Sequence, residues 1–312
     1  MTFSFPPEFL QRLQSIIPTE FSSAVLNSLV QPRCLSIRIN FLKISEEQAL
    51  TLFKQKEIAF QRVPWCAEAL ILNSRPEHNE DWDSWFEQGL FYRQGLSSML
   101  VVHLLDPRPG EAVLDLCAAP GSKTSHMAAR MQNQGEITAC EAIRGRIFKL
   151  KSVLKLLDVQ NVHVRLLDAR RYRSQQQFDR ILVDAPCSSE GRFFIDEPES
   201  YQYWSPRKIK EMVRKQRGIL LNATRLLKPQ GTLVYSTCTF APEENEGVLD
   251  WVLRKTERRL RVVPIEAPQI EQYPAIKSWG KRDFDPQVRQ SLRVLPNRVM
   301  EGFFIAKLTA DN

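Results

Sequence analysis

From Gly110 onward the chain repeats one pattern: a short apolar run bounded by small or polar residues, then a longer stretch with helical spacing. Residues 112–116, 137–140, 162–166, 181–183 and 232–236 read as buried strands. Residues 143–157 and 208–227 read as helices between them. This alternation specifies an α/β fold: a doubly wound, mostly parallel sheet covered on both faces. In such sheets ligands sit beyond the carboxyl ends of the strands, near the point where strand order reverses. The residues that follow each strand are therefore where chemistry is expected.

The first part, residues 1–90, reads differently. Helical patterns around residues 7–13 and 45–54 flank an extended segment at 35–40, and the Pro, Asn and Trp content of 64–85 reads as irregular connection. We take 1–90 as a small α+β domain and 91–312 as the catalytic one; 312 residues suffice for both cores. No stretch approaches the roughly 18 apolar residues of a membrane span. The start, MTFSFPPEFLQRLQ, lacks a basic segment followed by an apolar run. A soluble cytoplasmic protein is expected, with a monomer as the default state.

Lys and Arg number 43 against 36 Asp and Glu, a net +7 that favours a polyanionic partner such as nucleic acid. The six cysteines, Cys34, Cys66, Cys117, Cys140, Cys187 and Cys238, form no CxxC pair and lie near no His cluster. No metal site is expected, and the thiols are read as reduced.

The first strand of the α/β region runs into Cys117-Ala118-Ala119-Pro120-Gly121-Ser122-Lys123-Thr124. Small residues let the backbone approach a ligand, and the following helix start offers unpaired N–H groups. A dinucleotide fingerprint needs more glycines, and a phosphate loop needs Gly-Lys as neighbours, whereas Ser122 separates Gly121 from Lys123. S-adenosylmethionine, which needs a tight turn but no pyrophosphate cradle, suits the loop better. Strand two ends in Glu141, placed to accept ribose hydroxyls, and strand three is followed by Asp168, placed to accept from an adenine amino group. Each carboxylate alone also reads as a helix cap or solvated loop residue; acids after successive strands point to a nucleoside.

Strand four ends in Asp184-Ala185-Pro186-Cys187-Ser188-Ser189-Glu190-Gly191, and strand five in Tyr235-Ser236-Thr237-Cys238-Thr239. Cysteines at the ends of adjacent strands face one crevice, and two beside a cofactor suggest covalent chemistry. CAAPGSKT, DAPCSSEG and YSTCTFAPEENE, together with FYRQ at 91–94, SSML at 97–100, SIRIN at 36–40 and EGFF at 301–304, occur in the order of the Nol1/Nop2/Sun family of RNA cytosine-C5 methyltransferases, which the chain resembles over nearly its whole length. Ser189 departs from the glycine usual there. Pro64-Trp65-Cys66 and Trp204-Ser205-Pro206 look closest to the bacterial branch acting on 16S rRNA. That branch carries an extra carboxyl-terminal region with no counterpart here, and short relatives acting on tRNA keep that substrate open.

The resemblance implies a seven-stranded, Rossmann-like S-adenosylmethionine methyltransferase sheet. It implies that residues 117–123, Glu141, Arg146, Asp168 and Asp184 bind the cofactor. It implies Cys238 as nucleophile, Cys187 as the thiol assisting product release, and Lys123 as the lysine that organises the active centre. A thiolate added to carbon 6 of cytosine makes carbon 5 reactive towards a methyl sulfonium. Asp184 suits the ring nitrogen and amino group of the base, which must leave its stack. In DNA cytosine methyltransferases the Pro-Cys thiol attacks instead, which would make Cys187 the nucleophile; Thr237-Cys238 favours the RNA arrangement. Arg165, Arg170, Arg171, Arg173, Arg207, Lys208, Lys210, Arg214, Lys215, Arg258, Arg259 and Arg261 suggest an RNA track, though any one such run is also a solvated helix face. Tyr201, Tyr203 and Trp204 suit stacking on bases, or the core. A non-catalytic RNA-binding assembly factor on the same scaffold is the rival; intact Cys187, Cys238, Lys123 and Asp184 argue against it.

Overall fold

The computed structural model describes residues 4–73, 75–76, 80–256, 260–267 and 269–311. Along the chain run α1 (Pro7–Ile16), α2 (Thr19–Val30), β1 (Leu35–Ile39), α3 (Glu46–Gln55), β2 (Gln61–Val63), β3 (Cys66–Leu72), α4 (Glu80–Glu87) and β4 (Phe91–Arg93). There follow α5 (Leu96–Leu105), β5 (Ala112–Asp115), α6 (Ser122–Arg130), β6 (Glu136–Glu141), α7 (Arg144–Leu156), β7 (Val162–Leu166), β8 (Phe178–Asp184), α8 (Pro206–Leu226) and β9 (Leu227–Thr237). The last elements are α9 (Glu246–Lys255), β10 (Leu260–Val263), β11 (Gln272–Tyr273), β12 (Ser278–Trp279), β13 (Arg282–Asp283), β14 (Leu292–Val294) and β15 (Phe303–Ala310).

The large sheet runs β11-β14-β15-β9-β8-β5-β6-β7, with β10 paired to β15. From β7 to β9 every pairing is parallel, and β10, β11, β14 and β15 add antiparallel pairs. The sheet is thus mixed and has nine strands among the described residues, broader than the expected seven. The additions come from short segments after α9 whose apolar runs are too brief to stand out by periodicity. Alternate residues explain why both faces are covered. Val113, Leu182, Val234 and Ile305 pack under α5 and α6, while Leu114, Ile181, Val183, Leu233 and Tyr235 pack under α8 and α9. Strand order reverses at β5, which has β6 on one side and β8 on the other.

A second, antiparallel sheet, β2-β3-β1-β4, covers residues 35–93. The irregular connection expected at 64–85 is corrected here: β3 pairs with β1, and α4 places Trp82 and Trp85 in the core with Ile37, Ile39, Phe53 and Phe91. Helical spacing of the two tryptophans was hidden by their polar neighbours. Arg38, between two core isoleucines, points to the opposite face by the strand's period of two. It donates to Ser122 O at 3.1 Å and Ser125 Oγ at 2.9 Å on α6, tying the small sheet to the start of that helix. α1 and α2 lie elsewhere: Phe9, Leu13 and Val25 pack with Phe193, Tyr201 and Phe240 of later loops and with Tyr273 of β11. No helix among the described residues is long and apolar enough to cross a membrane.

Candidate active site

The chain leaves β5 through Asp115, whose buried carboxylate accepts from Cys117 N at 3.2 Å and Thr124 Oγ1 at 2.7 Å. Burial pushes this acid up to about 6. The loop is thus pinned at both ends by one side chain. Gly121 sits at φ 110°, and a Cβ there would meet Leu150 Cδ1 at 3.0 Å; any L side chain is strained in that conformation. α6 starts at the next residue, so its free N–H groups lie beside the loop.

A cleft of about 390 Å³ opens at the strand ends, lined by Cys117, Glu141, Ile143, Arg146, Asp168 and Asp184 among others, and reaching both Cys187 and Cys238. Glu141 accepts from Ile143 N at 2.8 Å and pairs with Arg146 at 3.2 Å, while Arg146 also donates to Ala119 O at 2.6 Å. Arg146 therefore links two of the sequence-predicted segments. Asp168 accepts from Arg170 N, capping a short 3-10 turn, and its pairing with the Arg170 guanidinium holds it below the usual carboxylate range. It is at once the cap of that turn and a residue lining the cleft. Ile143, more than half exposed, offers an apolar face at the cleft. Three carboxylates, a helix start and one apolar face fit a nucleoside bearing a cationic centre.

On the far side of the cleft, Lys123 Nζ donates to Asp184 Oδ2 at 2.7 Å, and Ser236 Oγ donates to Oδ1 at 2.8 Å. Lys123 is only 8% exposed and lies 5.6 Å from the ring centre of Phe303. The sulfurs of Cys187 and Cys238 are 3.4 Å apart. The hydrogen bond with Cys187 lowers the Cys238 thiol below its ordinary value; burial opposes this, and the Arg192 guanidinium adds to it. The same bond, with burial, pushes Cys187 well above. Of the two, Cys238 is the sulfur better able to carry negative charge. Ser189 holds φ 61°, the left-handed region that explains a glycine preference at this position.

Several residues that hold the thiols were not assigned a role from sequence. Glu244 is fully buried, accepts from Ser188 N at 3.1 Å and Gln216 Nε2 at 2.7 Å, and is pushed up to about 8 by burial. Glu190 accepts from Thr239 Oγ1, Phe240 N and Trp204 Nε1. Asn245 joins Thr237 to Thr239 around Cys238. Glu246 makes a buried two-point pair with Arg293, both bonds 2.6 Å. Gly191 and Gly302 touch backbone to backbone, bringing Glu301 to within 3.4 Å of Arg192. The acid-rich run 243–246 was visible as a motif, but its partners lie far away in the chain. Of the expected RNA track, Arg170, Lys208 and Lys215 are engaged in local bonds, Arg173 donates to Asn222 Oδ1 at 2.9 Å, and Lys215 lines the cofactor-side cleft. Arg258 and Arg259 lie outside the described residues. Tyr201 and Trp204 are packed, whereas Tyr203 is 82% exposed.

The mixed α/β sheet, parallel from β7 to β9 with its cleft at the reversal of strand order, is a Rossmann-like methyltransferase fold. Residues 102–309 match the family described as 16S rRNA methyltransferase RsmB/F, and residues 5–95 match the N-terminal domain of 16S rRNA methyltransferase RsmF. The chain belongs to the RsmB/F family of methyltransferases. It is 35% identical to ribosomal RNA small subunit methyltransferase F of Pectobacterium carotovorum over 98% of this chain and 62% of that protein. It is 36% identical to the Enterobacter enzyme of the same description, over 97% and 63%. It therefore spans less than two thirds of these relatives. A solved methyltransferase homolog from Pyrococcus horikoshii is 30% identical with TM-score 0.80, covering 98% of this chain and 99% of that one. NSun6 from the same organism, at 24% identity and TM-score 0.83 over the full length of both chains, shares the fold.

Proposed function

We propose that this protein forms 5-methylcytosine in RNA, with 16S rRNA as the substrate and S-adenosylmethionine as methyl donor. The observation that carries the reading is the 3.4 Å approach of two unequal thiols at the end of a nucleoside-sized cleft. In it, residues 117–123, Glu141, Arg146, Asp168 and Asp184 hold the cofactor, which when bound supplies an electrophilic methyl group. The first 90 residues support the RNA and 91–312 carry out the reaction. On the same reading the protein is a cytoplasmic monomer before it meets RNA. The seven-stranded core is β14-β15-β9-β8-β5-β6-β7, with β10 and β11 added to it.

Cys238 attacks as the thiolate. Its Sγ bonds to carbon 6 of a flipped cytosine, moving electron density to carbon 5, which takes the methyl group. Asp184 accepts from the base's amino group, with Lys123 and Ser236 fixing its orientation. A base at the cleft then takes the proton from carbon 5, with Cys187, 3.4 Å from Cys238, assisting release of the product. The carbon 6–sulfur bond breaks, and its electrons return to Cys238.

The test uses a 16S rRNA transcript and labelled methyl donor. Cys238→Ala lowers methyl incorporation by at least ~10⁴-fold, the order seen for loss of a nucleophile. Cys187→Ala instead traps a covalent protein–RNA adduct on denaturing gels. Full turnover by Cys238→Ala would overturn the assignment.

A further inference from the structure

A groove of about 570 Å³ lies on the flank of α8 that faces away from the cofactor-side cleft. Arg12, Lys210, Arg214, Arg217 and Arg282 line it, with Trp279 and Phe284 forming apolar walls. Two carboxylates answer these cations: Glu243 pairs with Arg12 and Asp250 with Arg282. Lys210 and Arg214 are exposed and have no ion-pair partner among the described residues. The Nε atoms of Arg12 and Arg217 are buried without a hydrogen-bond partner. Basic charge in excess, interleaved with aromatic faces, is the chemistry that holds a single nucleic acid strand: cations on phosphates, rings under bases.

The groove is physically joined to the thiols. Gln216, on the same helix, donates to Pro186 O at 2.9 Å, next to Cys187. Pro206 forms one lip, and two residues earlier Trp204 donates to Glu190 in the loop that carries Cys187. Tyr203, the residue before Trp204, is exposed. These bonds tie the helix and the lip that line the groove to the loop that carries Cys187.

We propose that this groove binds a single-stranded RNA segment flanking the target cytidine, with phosphates on Lys210 and Arg214 and a base against Trp279. The inference rests on the RNA methyltransferase reading and adds where the strand runs. Neither exposed residue belongs to the methyl-transfer site, so the groove acts on RNA affinity alone.

The test is the double variant Lys210→Glu/Arg214→Glu, compared with Lys151→Glu/Lys155→Glu on the opposite face of the sheet, which changes net charge equally. With a 16S rRNA transcript, the groove variant raises KM about tenfold and lowers the slope of log affinity against log salt by about 2, one per lost phosphate contact. Its kcat at saturating RNA and its affinity for S-adenosylmethionine stay at wild-type values, and the control pair moves KM far less. Wild-type activity with equal KM and salt slope in the groove variant overturns the proposal, and is the result expected if an acidic protein segment occupies the groove instead. Equal losses in both double variants overturn it as a general charge effect. A wild-type protein that neither binds nor methylates the transcript overturns the functional reading, and this inference with it.

Discussion

The two flanks of the cleft use carboxylates in opposite ways. On the cofactor side, Glu141 and Asp168 each hold a local partner, two to five residues away, and still border the cleft. On the thiol side, Glu190, Glu244 and Glu246 are wholly inside the protein, and their partners lie up to 56 residues away. The first kind of acid holds its own loop and also lines the cleft, Glu141 with only 4% of its surface exposed. The second kind is committed to holding Ser188, Thr239 and Phe240 in place around Cys187 and Cys238. A nucleophile must be positioned within a fraction of an ångström, and buried, fully bonded acids supply that rigidity where surface loops do not.

Breaking the buried kind has the largest effect on stability. Arg293→Met leaves Glu246 inside the protein without its cation, and urea unfolding should show a loss of about 3–5 kcal/mol. A loss below 1 kcal/mol would mean that the thiol flank is not held in this way.

Glu244 tests the same flank through pH. Its native value of about 8 lies above the ordinary 4.5, so the folded state holds a proton that the unfolded chain gives up first. Its contribution is fully present below pH 4.5 and fades as pH rises through 8, a loss of a few kcal/mol. In Glu244→Gln that part of the decline should vanish, as read by thermal unfolding at pH 5, 7 and 9.

The cofactor flank should respond in affinity, not in stability. Glu141→Gln weakens binding of S-adenosylmethionine by about tenfold, or about 1.4 kcal/mol, by calorimetry. If instead the melting temperature fell and affinity held, Glu141 would act as the acids of the thiol flank do. The smallest effect is at Ser189, whose left-handed backbone a glycine adopts without strain. Ser189→Gly should raise stability by about 1 kcal/mol at most and leave methyl transfer intact.

Much of the cofactor flank was legible in the sequence because its signals are local. The loop 117–124, Glu141 and Asp168 each stand at a strand's end or two residues beyond it, and Gly121 marks a turn that its φ requires. The thiols were legible too, as cysteines ending adjacent strands. The segment 64–85 was misread because Pro64, Asn73 and two tryptophans mimic a loop, while the evidence for β3 is its partner β1 about 30 residues earlier. The destination of α1 and α2 was equally hidden: their apolar faces say that something covers them, not that Phe193 and Tyr273 do.

By itself, then, the sequence determined the alternating α/β core, the cofactor loop and the presence of two candidate thiols, because period, turn chemistry and strand ends are encoded within a few residues. Only the tertiary structure decided that those sulfurs meet at 3.4 Å, and that Glu244 and Glu246 find Ser188 and Arg293. Such pairings join segments some 50 residues apart. Side-chain chemistry states what each group needs, but which distant group satisfies it is fixed by how the sheets and helices pack.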